Sequence, residues 1–388
     1  MTTRDTDWDG VRLHVVTGKG GTGKTTVAAA MALALASADR KVLLIEVEGR
    51  QGIARLFDCP PLPYQERKVA IGLGAQGAGQ GGDVYALAVD PEGALLDYLE
   101  MFYNLRRTGK ALTRLGVVDF ATTIAPGLSD LLVTGKATEA ARRRVGRRDD
   151  SHVYHAVVMD APPTGRIGRF LNVSTEVSGL AKVGPIKTHA DTVGRVIRSP
   201  QTAVHFVTTL EEMPVQETLD GIAELHELTG DAIRPGGIFI NMAHPAMLSR
   251  ADLAAAASGS LDVTELALGL KAAGISDNHG LAADLMTELR EHAQQVALQD
   301  REREELLTSG RPHYELPMIP EGIDLAVSGP QSVCHTDNAA LTLRRLLDWA
   351  LDNRLGDLAG LAVTAPSLED SYLQLTGTTD GPDAGDRR

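Results

Sequence analysis

Short apolar runs rich in β-branched residues recur along the chain at "VRLHVVT", "KVLLIEV", "DVYALAV", "HAVVMD", "TAVHFVTT", "GGIFINM" and "HYELPM". Most are separated by stretches long enough for a helix, and this alternation predicts an α/β fold with a doubly wound, mainly parallel sheet. Three regions leave that rhythm. From about residue 91 to 150 the apolar positions take a helical period, opening with Leu95, Leu99, Phe102 and Leu105 on one face. Residues of about 172–200 read as a second helical excursion broken near Pro185, and about 249–309, rich in Ala, Leu, Glu and Gln, as a third. "GLGAQGAGQGG" is expected to be a loop, and the glycine-rich, polar end of the chain a disordered tail.

One loop carries a chemical signature. "VVTGKGGTGKTT", residues 15–26, follows an apolar strand and precedes the alanine-rich helix "VAAAMALALA". That context turns a glycine pattern into a phosphate site: backbone N–H groups and a positive helix end can approach phosphate oxygens closely where side chains are absent. Gly18, Gly20, Gly21, Thr22 and Gly23 form the loop. Lys24 is assigned to the β and γ phosphates of ATP, Thr25 to Mg²⁺ and Thr26 to the α phosphate. A phosphate loop needs only one lysine, so Lys19 requires its own account.

Composition narrows the classes. With 38 Lys and Arg against 51 Asp and Glu, a net charge of −13 argues against a general nucleic-acid binder. Two distant cysteines, Cys59 and Cys334, support neither a disulfide framework nor a thiolate zinc site, and the histidines show no metal-ligand spacing. The polar start and the lack of any eighteen-residue apolar run lead to the expectation of a cytoplasmic protein without direct membrane insertion.

Lys-Gly-Gly-x-Gly-Lys-Thr resembles the deviant phosphate loop (deviant Walker A) of nitrogenase iron protein, division-site and plasmid-partition ATPases, and arsenite-pump and tail-anchored-protein-targeting ATPases. In that group the early lysine reaches across a dimer interface, so the resemblance implies that Lys19 acts in trans, as an arginine finger does elsewhere. "VVMDAPPTGRIGRFL" then resembles the second switch of the arsenite-pump and tail-anchored-targeting branch, with Asp160 supporting the metal. "LAVDPEGALLDYL", "IAPGLSDLL", "FINMAHP" and "ELPMIPEGID" resemble further segments of that branch. The last two imply Asn241 and Pro317 as adenine contacts. The likeness spans roughly residues 11–350, between a disordered start at 1–10 and a partly disordered extension at 351–388. It implies a P-loop ATPase unit with helical insertions at about 91–150 and 172–200.

The first switch departs from the pattern. Relatives end the second strand with Thr-Asp-Pro-Ala, whereas this chain reads "IEVEGRQGIARLF", with Glu48 at the Asp position. Glutamate can position the attacking water, but its extra methylene moves the carboxylate, and a misplacement of about 1 Å can cost roughly a hundredfold in rate. Turnover below about ten per second is therefore expected. Glu46 is the alternative carboxylate, since strand alternation points both to the same side. Arg50 fits either a phosphate or interface contact or a surface salt bridge.

The resemblance implies a dimeric Mg·ATP-dependent ATPase, homodimeric or paired with a paralogue, that handles a protein client with an apolar helix. An energy-coupling subunit of an anion transporter is the alternative. Metalloid triggering is not expected, because two distant cysteines cannot make a three-cysteine site. A methionine-lined client groove is not expected either, since Met101 is the only methionine between residues 91 and 150. The arginines at 142–144 and 147–148 read as a solvated helix end, with an anionic-surface patch as the sharper option.

Overall fold

The computed structural model describes residues 8–37, 39–72, 81–90, 93–97, 127–146, 151–180, 183–230, 232–244, 248–275, 280–318, 325–328 and 331–334. Its centre is an eight-stranded sheet. The strands are β1 (Leu13–Gly18), β2 (Val42–Glu46), β3 (Arg67–Ile71), β4 (Asp83–Ala88), β5 (Ala156–Asp160), β6 (Thr202–Thr208), β7 (Arg234–Ala243) and β8 (His313–Pro317). They lie in the order β3-β4-β2-β5-β1-β6-β7-β8, all parallel except β3, which runs antiparallel to β4. All seven sequence runs became strands of this sheet. The continuous apolar character of β1, β2, β5 and β6 is explained by burial on both faces.

Helices cover the two faces. On one side α1 (Lys24–Leu35) and the short α2 (Gly52–Leu56) pack with Val16, Leu44, Val158 and Phe239. Nine residues of α1 are buried, so the helix is apolar around most of its circumference, as a helix against a sheet interior must be. The opposite face holds α3 (Leu128–Arg142), α4 (Thr164–Leu180), α5 (Pro185–Ile197) and α6 (Glu212–Thr229), packed on Leu13, Leu43, Val157 and Phe206. Each fully buried side chain such as Phe206 or Phe239 contributes roughly 1.5–3 kcal/mol.

Pro185 opens α5 at its first turn, where its missing N–H has no helical partner to lose, behind Gly184 at φ 104°. The 249–309 region is helical: α7 (Arg250–Ser258), α8 (Val263–Ala272) and the 27-residue α9 (Leu281–Leu307). Ser249 caps α7 through Asp252 N, at 3.2 Å, and Asp262 caps α8 through Thr264 N, at 2.7 Å. A small antiparallel pair, β9 (Leu325–Ser328) and β10 (Gln331–Cys334), follows. No helix among the described residues is long and apolar enough to cross a membrane.

Two readings need adjustment. Strand β3 was not foreseen; its "RKVAI" lies on the sheet edge, bulged between Lys68 and Ala70, where partial exposure admits charged residues. Residues 73–80 of the glycine-rich segment lie outside the described residues, but its ends meet, Gly72 N donating to Gly82 O at 2.7 Å. Arg143 is not a solvated helix end: it donates to Glu139 and Glu66 and is half-buried. Leu95 joins the same core as α3, while Leu99, Met101, Phe102 and Leu105 lie outside the described residues, as do residues 351–388.

A buried aromatic stack closes the α1 side of the sheet. His14 on β1 and His205 on β6 stack with Trp8, at ring distances of 5.3 Å and 4.8 Å. Gly237 N donates to His205 Nδ1 at 3.2 Å, so the His205 proton sits on Nε2 and points at His14 Nδ1, 3.1 Å away. Both rings are neutral, because burial depresses their proton affinity, His14 to about 3.

Candidate functional site

The sheet order places the carboxyl ends of β2, β5 and β1 side by side, with Glu46 opposite Asp160 and Val16 opposite Asp160 in register. Ligands of doubly wound sheets bind at this edge. A cavity of about 270 Å³ opens there, lined by Gly20, Gly21, Gly23, Lys24, Thr25, Glu46, Glu48, Arg50, Gly52 and Asp160.

Loop conformation follows from its glycines. Gly21 and Gly23 take left-handed φ of 93° and 86°. Gly23 then starts α1 with no side-chain cap, leaving the first-turn N–H groups facing the cavity mouth. A methyl group on Gly23 would overlap the Asn241 amide. Gly23→Ala therefore combines that overlap with left-handed strain of about 1–2 kcal/mol. We expect a lowered thermal midpoint and lost nucleotide binding. In Gly23→Ala/Asn241→Ala the overlap is relieved, so relative to Asn241→Ala, which itself loses the bond to the Thr22 carbonyl, only the strain should remain; a Gly23→Ala variant as stable as wild type would contradict the crowding.

Lys24 is more than half-buried, its ammonium 3.4 Å from the Lys19 carbonyl. Burial lowers its proton affinity, while Asp160 and Glu48 oppose that shift and Arg50 adds to it. Thr25 Oγ1 donates to Asp160 Oδ2 at 2.7 Å. Asp160 is 8% exposed, and burial raises its pKa to about 6 against the pull of Thr25 and Lys24, with Glu46 and Glu48 adding to the rise. Gly52 faces Thr25 closely, and a methyl group there would lie 3.1 Å from the Thr25 methyl.

The two glutamates that strand alternation could not separate have different partners. Glu46 is 2% exposed and accepts from the Gln51 and Ile53 amides, the latter at 3.1 Å, anchoring the start of α2. Glu48 sits in the bend beyond β2 with Arg50 at 3.5 Å and Arg166 at 3.8 Å. Alternation ceased to apply because the chain leaves strand geometry after Glu46; Gly49 and Gln51 take φ of 65° and 57°.

The remaining expected residues are placed less directly. Asn241, near the end of β7, donates to the Thr22 carbonyl at 2.9 Å and so buttresses the loop from behind. Pro317 pairs with Ala243 at the ends of β8 and β7, away from the cavity lining. Gly18 packs against the Val207 carbonyl, Thr22 bonds the Lys19 carbonyl at 2.9 Å, and Thr26 lies in the first turn of α1. Lys19 does not line the cavity. Its ammonium pairs with Glu217 Oε1 on α6 at 2.7 Å, and Thr164 Oγ1 donates to the other Glu217 oxygen at 3.4 Å. Neither Glu217 nor the anchoring role of Glu46 was visible in the sequence. A glutamate on an amphipathic helix, or at a strand end, carries no pattern that separates it from its neighbours.

Thr25 and Asp160 together offer two adjacent oxygen donors, a set suited to a hard cation such as Mg²⁺ that completes its shell with water and phosphate. Among the described residues no group of three or more His, Cys, Asp and Glu is arranged to cage a metal.

A family model described as an anion-transporting ATPase matches residues 11–199. The chain is 50% identical over 316 residues to ATPase BagA of Mycobacterium tuberculosis, covering 81% of this chain and 90% of that protein. It is 24% identical over 226 residues to ATPase get3 of Botryotinia fuckeliana, covering 58% of this chain and 60% of that protein.

Proposed function

This chain belongs to the anion-transporting ATPase family, and from that premise we propose that it is a dimeric Mg·ATP-dependent switch coupling ATP binding and hydrolysis to the handling of a protein client. The observation that carries the reading is the division of labour between two lysines of one loop. Lys24 lines the cavity with Thr25, Glu48 and Asp160, whereas Lys19 is turned out of it. A loop lysine that does not reach its own site is available to another.

Within the site, the uncapped start of α1 and Lys24 hold the phosphates, and Thr26 lies near the α phosphate. Thr25 and Asp160 would hold Mg²⁺, which supplies charge neutralisation to the phosphates. Glu48 orients the attacking water, held in place by Arg50 and Arg166. Asn241, with Pro317 beyond it, flanks the loop where an adenine would extend. Lys19 adds positive charge to the partner's nucleotide, identical or paralogous. The client moves because its affinity differs between the ATP and ADP states. Supply of energy to an anion transporter is the second reading, favoured by the family description. Stimulation of hydrolysis by an oxyanion would support it.

The test mixes two inactive variants, Lys19→Ala and Lys24→Ala. In a two-fold dimer half of the randomly paired molecules carry one intact composite site of two, so about a quarter of the wild-type rate should return. A mixture no more active than its parts would sink the assignment in trans. Client handling is tested by capture from native extract with Glu48→Gln in Mg·ATP. Proteins with apolar helices should be retained by Glu48→Gln and lost with Lys24→Ala.

A further inference from the structure

We infer that Glu217 is a positioning residue that keeps Lys19 inside its own subunit until a partner's triphosphate displaces it, and so sets the threshold for nucleotide-driven pairing of two subunits. This rests on the reading of Lys19 as a lysine that acts in trans.

Only the side chain of Lys19 is free to exchange partners. Its carbonyl accepts from Thr22 Oγ1 at 2.9 Å and lies 3.4 Å from the Lys24 ammonium, which ties the backbone to the loop. The ammonium goes instead to Glu217, at 2.7 Å, and both side chains are partly open to water, 29% and 36% exposed. Glu217 is fixed more firmly than its exposure suggests, because its neighbours Val215 and Thr218 on α6 are fully buried. An ion pair half in water is worth only about 0.2–1 kcal/mol. A triphosphate carries several charges against one carboxylate, so it can take the ammonium from Glu217 where another single carboxylate could not.

The second oxygen of Glu217 extends the effect. It accepts from Thr164 at 3.4 Å, and Thr164 is the first residue of α4, reached from Asp160 through Ala161, Pro162 and Pro163. Thr164 is 1% exposed and packs so near α6 that a methyl group on Gly221 would come within 3.4 Å of it. Departure of Lys19 changes the charge balance of a carboxylate that also holds the start of α4. The subunit-pairing event is thereby connected to the segment that follows the metal-supporting Asp160.

Sedimentation velocity with Mg²⁺ and β,γ-imido-ATP tests the inference, over a protein dilution series of wild type, Glu217→Gln and Glu217→Ala. Each two-fold dimer breaks two such pairs, so both variants should pair at a protein concentration roughly 2- to 30-fold lower than wild type. Nucleotide affinity of the dilute, unpaired subunit should stay within about twofold, since Glu217 does not line the cavity. Adding Glu217→Gln to Lys19→Ala should change nothing further, because the interaction is already gone. An unchanged or raised pairing concentration in the Glu217 variants, with wild type pairing normally, overturns the latch while leaving the trans lysine standing. Wild type that never pairs with nucleotide overturns both.

Discussion

Lys24→Ala should bind ATP about 10- to 150-fold more weakly than wild type and lose measurable hydrolysis. A hydrogen bond to a charged group contributes about 1.5–3 kcal/mol, and this lysine, itself partly buried, is the cavity cation nearest the start of α1. The fold should survive. Lys24 is a cation whose proton affinity is already lowered by burial, so its removal relieves desolvation while the loop remains held by Asn241, Thr22 and Gly18. Isothermal titration with Mg·ATP and a melting curve of the free protein together decide the matter. An affinity within threefold of wild type would show that the phosphates are held elsewhere; a collapsed melting curve would show that Lys24 is structural. Arginine should not rescue binding, because a planar guanidinium cannot replace a compact ammonium under the loop.

The second large effect is acid destabilisation of the nucleotide-free protein. His14 titrates near 6.5 when unfolded and about 3 when folded, and His205 is shifted in the same direction. Between those values the unfolded chain binds protons that the native state refuses, so stability is fully present above about pH 6.5 and declines as pH falls. For His14 alone the full shift corresponds to roughly 5 kcal/mol. Asp160 acts oppositely: its pKa is raised from 3.8 to about 6, so protonation of the native state returns stability as pH falls from about 6 to 4. Two histidines outweigh one aspartate. Urea unfolding should therefore show stability falling as pH drops below about 6.5, with these two histidines less Asp160 giving a net slope of about one proton, and His155 and His189, which burial shifts the same way, steepening it further. His14→Gln, which keeps an acceptor for His205 but cannot titrate, should remove about one proton from that slope. Wild-type stability that is level from pH 7 to pH 5 would mean that water reaches the pair.

Legibility in the sequence followed the strength of local constraint. Strands buried on both faces announce themselves as apolar runs, and a phosphate loop needs glycines at fixed spacings, so the sheet and the loop could be read directly. Edge strand β3 could not, because exposure relaxes the demand for apolar residues. The placement of Glu48 depended on where β2 stops, which is decided by the left-handed turns at Gly49 and Gln51. Glu217 depended on how α6 lies against β1, a tertiary fact carried by no local pattern. Of the helical stripe opened by Leu95 the structure describes that one position, and it lies in the core.

The stack of Trp8 on two neutral imidazoles has an optical consequence. Trp8 lies 4.8 Å from His205 and donates its indole N–H to Tyr314 at 3.2 Å, so its fluorophore is dry, hydrogen-bonded and in face contact with rings that quench when charged. His14 lies on the strand that runs into the phosphate loop, and His205 on the next strand out. Emission from position 8 therefore reports the state of the central strand pair from inside the sheet, and the chain's second tryptophan, Trp349, lies far along the sequence where it can be replaced separately.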